Sequence, residues 1–283
     1  GEKELTPFKL KGEKAKGEII GFLDDDGTVG KEFLNNVQNF FDKYDDIDIV
    51  GGPQLSPPEE RGFAKISGYG LCSKFGAAGT CNRYIRGKLN LNADENFITS
   101  ANLFVKKHVM DKIKFDEKLF PGEDAKFTED AKNKGLNVAY CPDFVIYHKR
   151  RANVKGLMKQ VFNYGKVRPL KESLLRTIKY PFFLVPSLFL LYLLFLLIYM
   201  VVDLFVFSEL LSFYPFMGFG FIILIPFLAY LFLDILSSVF QGVKHKDIIA
   251  IPLLIFIYPM IHLSYGAGML YGHFLKIKKF LFV

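Results

Sequence analysis

Cysteine is scarce in this sequence. The 283 residues include three cysteines, at positions 72, 81 and 141. Their number and spacing exclude a disulfide framework and do not match the ligand pairs of a zinc site. Unpaired thiols of this kind are typical of a protein in a reducing compartment.

Charge is scarce beyond Tyr180. Only five of the 36 Lys and Arg residues and four of the 29 Asp and Glu residues follow it. The chain therefore divides into a charged, slightly basic part of the soluble type and an apolar part of the membrane type. We predict a first domain in residues 1–150, juxtamembrane amphipathic helices in 151–179 and a membrane region in 180–283.

Three apolar stretches make up the predicted membrane region, at residues 180–202, 210–233 and 248–274. The first two carry no charge, and at 1.5 Å per residue each is long enough to cross a hydrocarbon core of about 30 Å. The third stretch contains His262, His273 and several glycines. A crossing helix and a re-entrant or interfacial arrangement both remain open for it.

The basic residues predict an orientation in the membrane. Residues 164–181 and the 242–247 turn are basic, whereas residues 203–209 contain two acids and no basic residue. We therefore predict a multi-pass protein of the cytoplasmic membrane, with the first domain and the 242–247 turn on the cytoplasmic side. Three full crossings would put the "KIKK" segment at 276–279 on the outer side, which conflicts with the same rule.

Strand and helix patterns alternate in the first domain, which predicts an α/β fold with a mainly parallel sheet. Residues 51–92 are rich in Gly, Pro and Ser and are predicted to form a long loop over the site. The predicted elements are strands at 19–23, 46–50, 96–107, 136–142 and 143–148, and helices at 33–44, 123–135 and 153–164.

The stretch "IIGFLDDDGTV" at 19–29 allows two chemistries. The pattern D-x-D-G-T is that of aspartyl-phosphate phosphatases, with Asp24 as nucleophile and Asp26 as acid and base. Alternatively, Asp24 and Asp26 lie on one side of an extended strand end and hold a divalent metal under a diphosphate, while Gly27-Thr28 turns into the next helix. A solvated acidic turn is the structural alternative.

A second acidic pair, Glu123-Asp124, follows Pro121-Gly122. This loop is not the apolar strand that would carry the late acids of a phosphatase. At a helix N-terminus the dipole favours an ionised carboxylate, as a general base requires. Ordinary helix-start acids are the alternative interpretation.

Four segments together resemble inverting glycosyltransferases of family 2, over roughly residues 14–168. They are "AKGEIIGFLDDD", "TSANLFVKKHVMDKIKFDEKLFPGEDAKF", "KNKGLNVAYCPDFVIYHKRR" and "LMKQVFNYGK". The ending "HLSYGAGMLYG" is similar to the membrane tail of polysaccharide-type members, such as succinoglycan and other exopolysaccharide transferases. The resemblance implies a GT-A-like (Rossmann-like) α/β catalytic domain followed by transmembrane helices, and a role in polysaccharide biosynthesis.

The resemblance also implies roles for individual residues. Asp24 and Asp26 match the D-x-D motif, which would bind Mg²⁺ or Mn²⁺ beneath the donor, and His148 matches a histidine that completes the metal site in some members. Asp124 matches the catalytic base, with Glu123 beside it. The candidates for the acceptor or the diphosphate are Ser100, Asn102, Gln160, Tyr164, Lys166 and Arg168.

Some of these matches are incomplete. The full Q-x-x-R-W form is absent around Gln160, and burial in the sheet is the alternative for Ser100 and Asn102. Lys149, Arg150 and Arg151 either reach a phosphate or face anionic lipid. The nucleotide-binding strand and Asp-Asp-Gly-Ser segment that open the family are missing from this sequence, so we expect an N-terminally truncated domain that binds donor poorly by itself.

The expected reaction is transfer of a sugar, with inversion, from a nucleotide-sugar donor to a hydroxyl of a lipid-linked or glycan acceptor. Membrane lipids are expected partners. Nucleic acid is not, because the basic residues cluster beside the membrane region rather than on an aromatic platform. A membrane-anchored phosphatase and a non-catalytic membrane scaffold remain the alternative functions.

Overall fold

The structure is a computed structural model that describes residues 15–116, 119, 121–171, 177–178, 181–202 and 215–281. The chain forms two compact units, Gly1–Gly156 and Leu157–Val283. The predicted class is confirmed, since the first unit is a mixed α/β domain and three long apolar helices follow it.

The first unit contains seven described strands and five described α-helices. In chain order they are β1 (Ile19–Leu23), β2 (Gly27–Val29), α1 (Phe33–Lys43), β3 (Ile49–Gly51), β4 (Gln54–Leu55), α2 (Gly62–Leu71), α3 (Lys74–Ala77), a 3-10 helix (Ala78–Tyr84), β5 (Asn102–Lys106), α4 (Lys107–Lys112), α5 (Glu123–Asn133), β6 (Val138–Tyr140) and β7 (Ile146–His148).

The strands form two sheets. The larger has the order β1-β5-β3-β6, and the smaller has the order β2-β7-β4. In the larger sheet β5 is antiparallel to both β1 and β3, and only β3 and β6 run parallel. The prediction of a mainly parallel sheet is therefore wrong. Alternating strands and helices do not fix direction when a long connection, here the one between β4 and β5, can bring a strand back reversed.

Aromatic packing joins α1 to the larger sheet. The buried face of α1 is Phe33, Val37, Phe40 and Phe41, at the helical spacing that the sequence shows. The Phe33 ring lies 5.6 Å from that of Phe104 on β5, measured between centroids. The predicted helix after the acids is confirmed, and it covers the sheet face beside β1.

The region 51–92 is not a long loop. It contains β4, α2, α3 and the 3-10 helix, so that prediction is wrong. Glycine made the segment resemble a loop, but Gly68 serves close packing in α2, since a Cβ there would lie 2.7 Å from Ser56 Oγ. The predicted strand at 96–107 is also shorter, because β5 begins at Asn102 and α4 follows it directly.

Helix α5 ends as the sequence predicts. Gly135 has a φ of 74°, in the left-handed region that glycine adopts without strain. The Leu136 N–H donates to the Ala131 carbonyl and the Gly135 N–H to the Lys132 carbonyl, both at 3.0 Å. These two bonds define a Schellman motif, which returns the chain towards β6.

The second unit holds the membrane-type helices. Helix α6 (Val154–Lys171) begins in the first unit, and α7 (Val185–Val202), α8 (Pro215–Lys244) and α9 (Ala250–Leu281) follow. Three of these helices are long and apolar enough to cross a membrane. The third predicted stretch is one continuous helix. Tyr180, Asp203, Glu209 and residues 210–214 of the predicted stretches and turn lie outside the described residues.

Glycines bring α6 and α9 into backbone contact. A Cβ on Gly268 would lie 2.0 Å from the Phe162 carbonyl oxygen, and one on Gly272 would lie 2.2 Å from the Lys166 carbonyl oxygen. From the other helix, a Cβ on Gly165 would lie 2.2 Å from the Tyr265 carbonyl oxygen. We call Gly165, Gly268 and Gly272 the glycine seam. Close helix packing accounts for glycines that otherwise resemble a re-entrant segment.

The seam sets the direction of α6. From Gly268 to Gly272 along α9 the contact moves from Phe162 to Lys166 along α6, and the Lys276 Nζ donates to the Pro169 carbonyl at 2.7 Å. Helices α8 and α9 are antiparallel, with the Tyr230 hydroxyl 2.8 Å from His262 Nδ1. Helix α6 therefore lies beside the end of α9 opposite to the 242–247 turn, whereas the charge distribution had placed both on one side.

Replacement of Gly268 by alanine should destabilise the second unit, because the added methyl group meets backbone rather than a mobile side chain. Overpacking of this kind costs about 1–3 kcal/mol. We expect Gly268→Ala to lower the thermal unfolding midpoint of the detergent-solubilised protein by several degrees. Gly30→Ala is the control, since no atom lies within 4 Å of its Cβ position. Equal midpoints for both variants would contradict the seam.

Candidate functional site

The three consecutive acids form a β-turn. Strand β1 ends at Leu23, and the Gly27 N–H donates to the Asp24 carbonyl at 3.1 Å. Asp25 and Asp26 thus occupy the two central turn positions. The sequence predicted an extended strand end, and this geometry is wrong. The turn nevertheless brings Asp24 and Asp26 together, and a bond from the Asp24 N–H to the Ala101 carbonyl (3.2 Å) fixes its start.

Strand β2 brings a distant residue to this turn. It pairs antiparallel with β7, and the register sets Gly27 opposite His148. The prediction that Gly27-Thr28 turns into the next helix is wrong, because these residues form β2. Since Gly27 directly follows Asp26, the register places the His148 side chain next to the acidic turn.

Asp24, Asp26 and His148 form one cluster. His148 Nε2 lies 3.1 Å from Asp24 Oδ2 and 3.1 Å from Asp26 Oδ1. The candidate ligand atoms of the three residues all lie within 4.8 Å of one another. The His148 side chain is 14% exposed and that of Asp26 is 54% exposed, so the imidazole forms the floor and the carboxylates form the rim.

The donor set fits a divalent metal. Two carboxylates offer the hard oxygens that Mg²⁺ and Mn²⁺ prefer, and an imidazole nitrogen favours Mn²⁺ over Mg²⁺. The other ring nitrogen, His148 Nδ1, is buried and has no hydrogen-bond partner in the part of the chain that the structure describes. Its Nε2 is therefore the nitrogen that can serve as a ligand beside the two acids.

The second acidic pair opens helix α5. Gly122 precedes the helix with a φ of 127°, which a residue with a side chain rarely adopts. The Gly122 N–H donates to Glu123 Oε2 at 2.8 Å, and the Ala125 N–H donates to Asp124 Oδ1 at 2.7 Å. The "PGED" segment therefore holds both carboxylates by backbone bonds in the first turn of the helix.

Glu123 does not behave as an ordinary helix-start acid. Burial raises its pKa from 4.5 to about 7, and the charges of Asp124 and Asp24 add to the rise. The helix dipole does not keep Glu123 fully ionised at neutral pH, because the cost of desolvation outweighs the dipole. Asp124 is half-buried and so more accessible than Glu123, which is buried. The influence of Asp24 on Glu123 also links the two acidic motifs electrostatically.

Ser100 and Asn102 are buried beside β5. The Asn102 Nδ2 donates to the Phe144 carbonyl at 2.5 Å, just before β7 begins. This bond braces the strand that carries His148, in keeping with the structural alternative. A contact of either residue with an acceptor stays a prediction.

The remaining four candidates belong to α6 in the second unit. The Gln160 Nε2 donates to the Tyr164 hydroxyl at 2.9 Å, and the Arg168 guanidinium carbon lies 3.6 Å from the Phe183 ring centroid. Lys166 contributes backbone to the glycine seam. Their roles towards an acceptor or a diphosphate stay predictions.

Arg150 has a role that the sequence did not reveal. Its side-chain Nε donates to Ser56 Oγ at 3.1 Å, and its backbone N–H donates to Glu60 Oε1 at 2.6 Å. Its guanidinium carbon lies 4.6 Å from the Tyr84 ring centroid. It therefore clamps the segment after β4 onto the end of β7. Its neighbours Lys149 and Arg151 are exposed, and nothing in the run "KRR" distinguishes the clamp from them.

A curated relative of the chain is the "Minor teichoic acid biosynthesis protein GgaB" of Bacillus subtilis (strain 168). The two are 28% identical over 168 residues, which cover 58% of this chain and 15% of the relative. The chain therefore corresponds to a small part of that protein.

The family comparison covers the unit that contains the cluster. The model for "Glycosyltransferase like family 2" matches residues 8–163. This range includes both acidic motifs and His148. More than half of the chain is matched, and the chain belongs to the family 2-like glycosyltransferases.

Proposed function

We propose that the protein is a membrane-bound glycosyltransferase. It moves a sugar from a nucleotide-sugar donor to a hydroxyl of a lipid-linked or glycan acceptor, with inversion. The observation that carries this proposal is the Asp24–Asp26–His148 cluster, supplied by two distant segments within the matched region. The Glu123–Asp124 pair, whose electrostatics respond to Asp24, supports it.

The cluster would hold the donor's diphosphate through a divalent cation. Such a cation neutralises the charge that develops as a nucleoside diphosphate leaves. Asp26 is the more exposed carboxylate and so the nearer to a donor, while Asp24 and the shielded His148 complete the ligand set. Either Mg²⁺ or Mn²⁺ would serve, and the imidazole favours Mn²⁺.

Asp124 would act as the general base. A carboxylate that takes the proton from an acceptor hydroxyl must be ionised and accessible. Asp124 is half-buried, and the Ala125 N–H orients its Oδ1. A single displacement by the deprotonated hydroxyl at the anomeric carbon inverts its configuration.

Glu123 would support this base rather than replace it. With a pKa of about 7, it carries a proton for much of the time at neutral pH. A protonated neighbour adds no negative charge beside Asp124, so a hydroxyl can approach the base without meeting two carboxylates. Both acids lie in the first turn of α5, so the difference in their roles comes from burial: Glu123 is buried and Asp124 is half-buried.

The acceptor would be lipid-linked or part of a growing glycan. The three apolar helices tether the site to a bilayer, which raises the local concentration of a lipid-borne hydroxyl. The name of the relative from Bacillus subtilis points to a polymer of the teichoic acid type as the product. We place the catalytic unit on the cytoplasmic side of the cytoplasmic membrane, because the basic residues around α6 favour that side.

Loss of the proposed base should abolish transfer. We expect Asp124→Asn to reduce release of nucleoside diphosphate from a panel of nucleotide sugars by at least about 100-fold, the size typical of a lost general base. The assay uses membranes that contain the full-length protein. Asp130→Asn is the control on the same helix, since Asp130 pairs with Lys126 instead. Unchanged transfer in Asp124→Asn would remove Asp124 from the mechanism.

Loss of the imidazole should weaken metal binding. We expect His148→Ala to raise the dissociation constant for Mn²⁺ by about 10-fold or more, because one of three protein ligands is gone. Titration of the purified protein followed by electron paramagnetic resonance of free Mn²⁺ gives the constant. Asp25→Asn is the control, because Asp25 is outside the cluster. Equal affinities in the two variants would argue against the site.

The raised pKa of Glu123 predicts a stability change with pH. The folded protein keeps the proton up to about pH 7 and the unfolded chain only up to about 4.5, so ionisation of Glu123 lowers stability as pH rises between these values. Glu123→Gln should therefore match the parent near pH 4.5 and unfold at a higher temperature at pH 8. Glu129→Gln, on the same helix, should show no such divergence in parallel thermal scans. A Glu123→Gln midpoint no higher than the parent's at pH 8 would refute the shift.

A further inference from the structure

We propose that α6 and the last turns of α9 form one basic surface that binds the phosphate headgroups of anionic phospholipids. This surface lies on the side of the membrane opposite the 242–247 turn. We call it the basic end. Its residues are Lys166, Lys171, Lys276 and Lys278. The proposal does not depend on sugar transfer.

The glycine seam is what joins the two basic segments. Lys166 and Lys276 are far apart in the sequence, but the Lys166 carbonyl touches the Gly272 position, one helical turn before Lys276. The Lys276 Nζ then donates to the Pro169 carbonyl at 2.7 Å, near the end of α6. The lysines of α6 and those of α9 therefore belong to one surface.

Within the two described helices the charge has a single sign, and Glu172 follows Lys171 directly in the sequence, outside the described residues. Neither α6 nor α9 contains an acidic residue along its whole length. The opposite end of the α8–α9 pair has fewer lysines, Lys244 and Lys246, and Asp247 follows them directly. A lysine cluster beside apolar helices is the pattern that attracts anionic lipid headgroups.

Apolar side chains are interleaved with the lysines and are themselves exposed. Tyr164 and Leu170 on α6 are 40% and 37% exposed, and Phe274 and Ile277 on α9 are 60% and 58% exposed. Aromatic and aliphatic groups at this position insert between lipid chains, while lysine stems extend towards the headgroups. A lipid surface explains the mixture better than a soluble anion, which would not cover the apolar groups.

The length of α9 indicates that the basic end and the 242–247 turn lie on opposite sides of the membrane. Helix α9 starts at Ala250, directly after the turn, and the seam begins near Gly268. Eighteen residues of helix reach about 27 Å, close to the thickness of a hydrocarbon core. The turn and the basic end are therefore separated by one membrane crossing. This arrangement also puts the "KIKK" segment on the same side as α6, which removes the conflict with the positive-inside rule.

Lipid titration tests the partner. The purified full chain is titrated with phosphatidylglycerol, and bound lipid is counted by native mass spectrometry. We expect Lys171→Gln/Lys278→Gln to weaken binding at least about 5-fold. The matched control is Lys244→Gln/Lys246→Gln, which removes two charges at the other end and should leave binding unchanged. Equal weakening by both pairs, equal binding of phosphatidylcholine, or displacement by millimolar inorganic phosphate would overturn the proposal.

Labelling tests the sidedness independently. Lys278→Cys and Lys246→Cys are placed separately in the full chain, and sealed vesicles are treated with a membrane-impermeant maleimide. The parent chain gives the background from its two buried thiols and one half-buried thiol. We expect the two variants to be labelled from opposite sides. Labelling of both from one side would overturn the arrangement even if lipid binding behaved as expected.

Discussion

The candidate site depends on the pairing of two strands that are only three residues long. The β2–β7 register sets Gly27 opposite His148 and so joins residues from opposite ends of the matched region. A shift of the β2–β7 register by one residue would turn the His148 side chain to the other face of the sheet, away from Asp24 and Asp26. The bracing around β7 acts against such a shift. Asn102 holds Phe144, two residues before β7, and Arg150 ties the chain after β7 to the segment that follows β4.

The sequence predicted which residues form the candidate site, but not the backbone geometry that brings them together. Asp24, Asp26 and His148 could be named in advance because carboxylate and imidazole groups at those positions match a known motif, and the structure brings them together. The turn at Asp25–Asp26 and the pairing of β2 could not be, since Ala101 fixes the start of the turn and β2 pairs with β7 across more than a hundred residues. Glu123 shows the same limit, because its raised pKa comes from burial, which a helix-start pattern does not encode. The reversed direction of β5 and the helices within 51–92 depend likewise on tertiary packing that overrides local propensity.

Hydropathy identified the helices that are long and apolar enough to cross a membrane, but not how they pack against one another. A long apolar run predicts a helix from length alone, and α7, α8 and α9 agree with that. Because of its glycines, the sequence left open whether the third stretch crosses the membrane. Two of these glycines, Gly268 and Gly272, form the contact of α9 with α6. Composition cannot distinguish a glycine that bends a chain from one that admits a neighbouring helix. The position of the partner helix decides, and α7 and α8 lie between α6 and α9 in the chain.

The order of synthesis gives the glycine seam a further consequence. Helix α6 leaves the ribosome before α7 and α8, and its partner α9 comes after both. During that interval the backbone that will later meet Gly268 and Gly272 has no packing surface, while the α/β unit can already fold. Completion of α9 is thus the event that fixes the helix leading out of the catalytic unit.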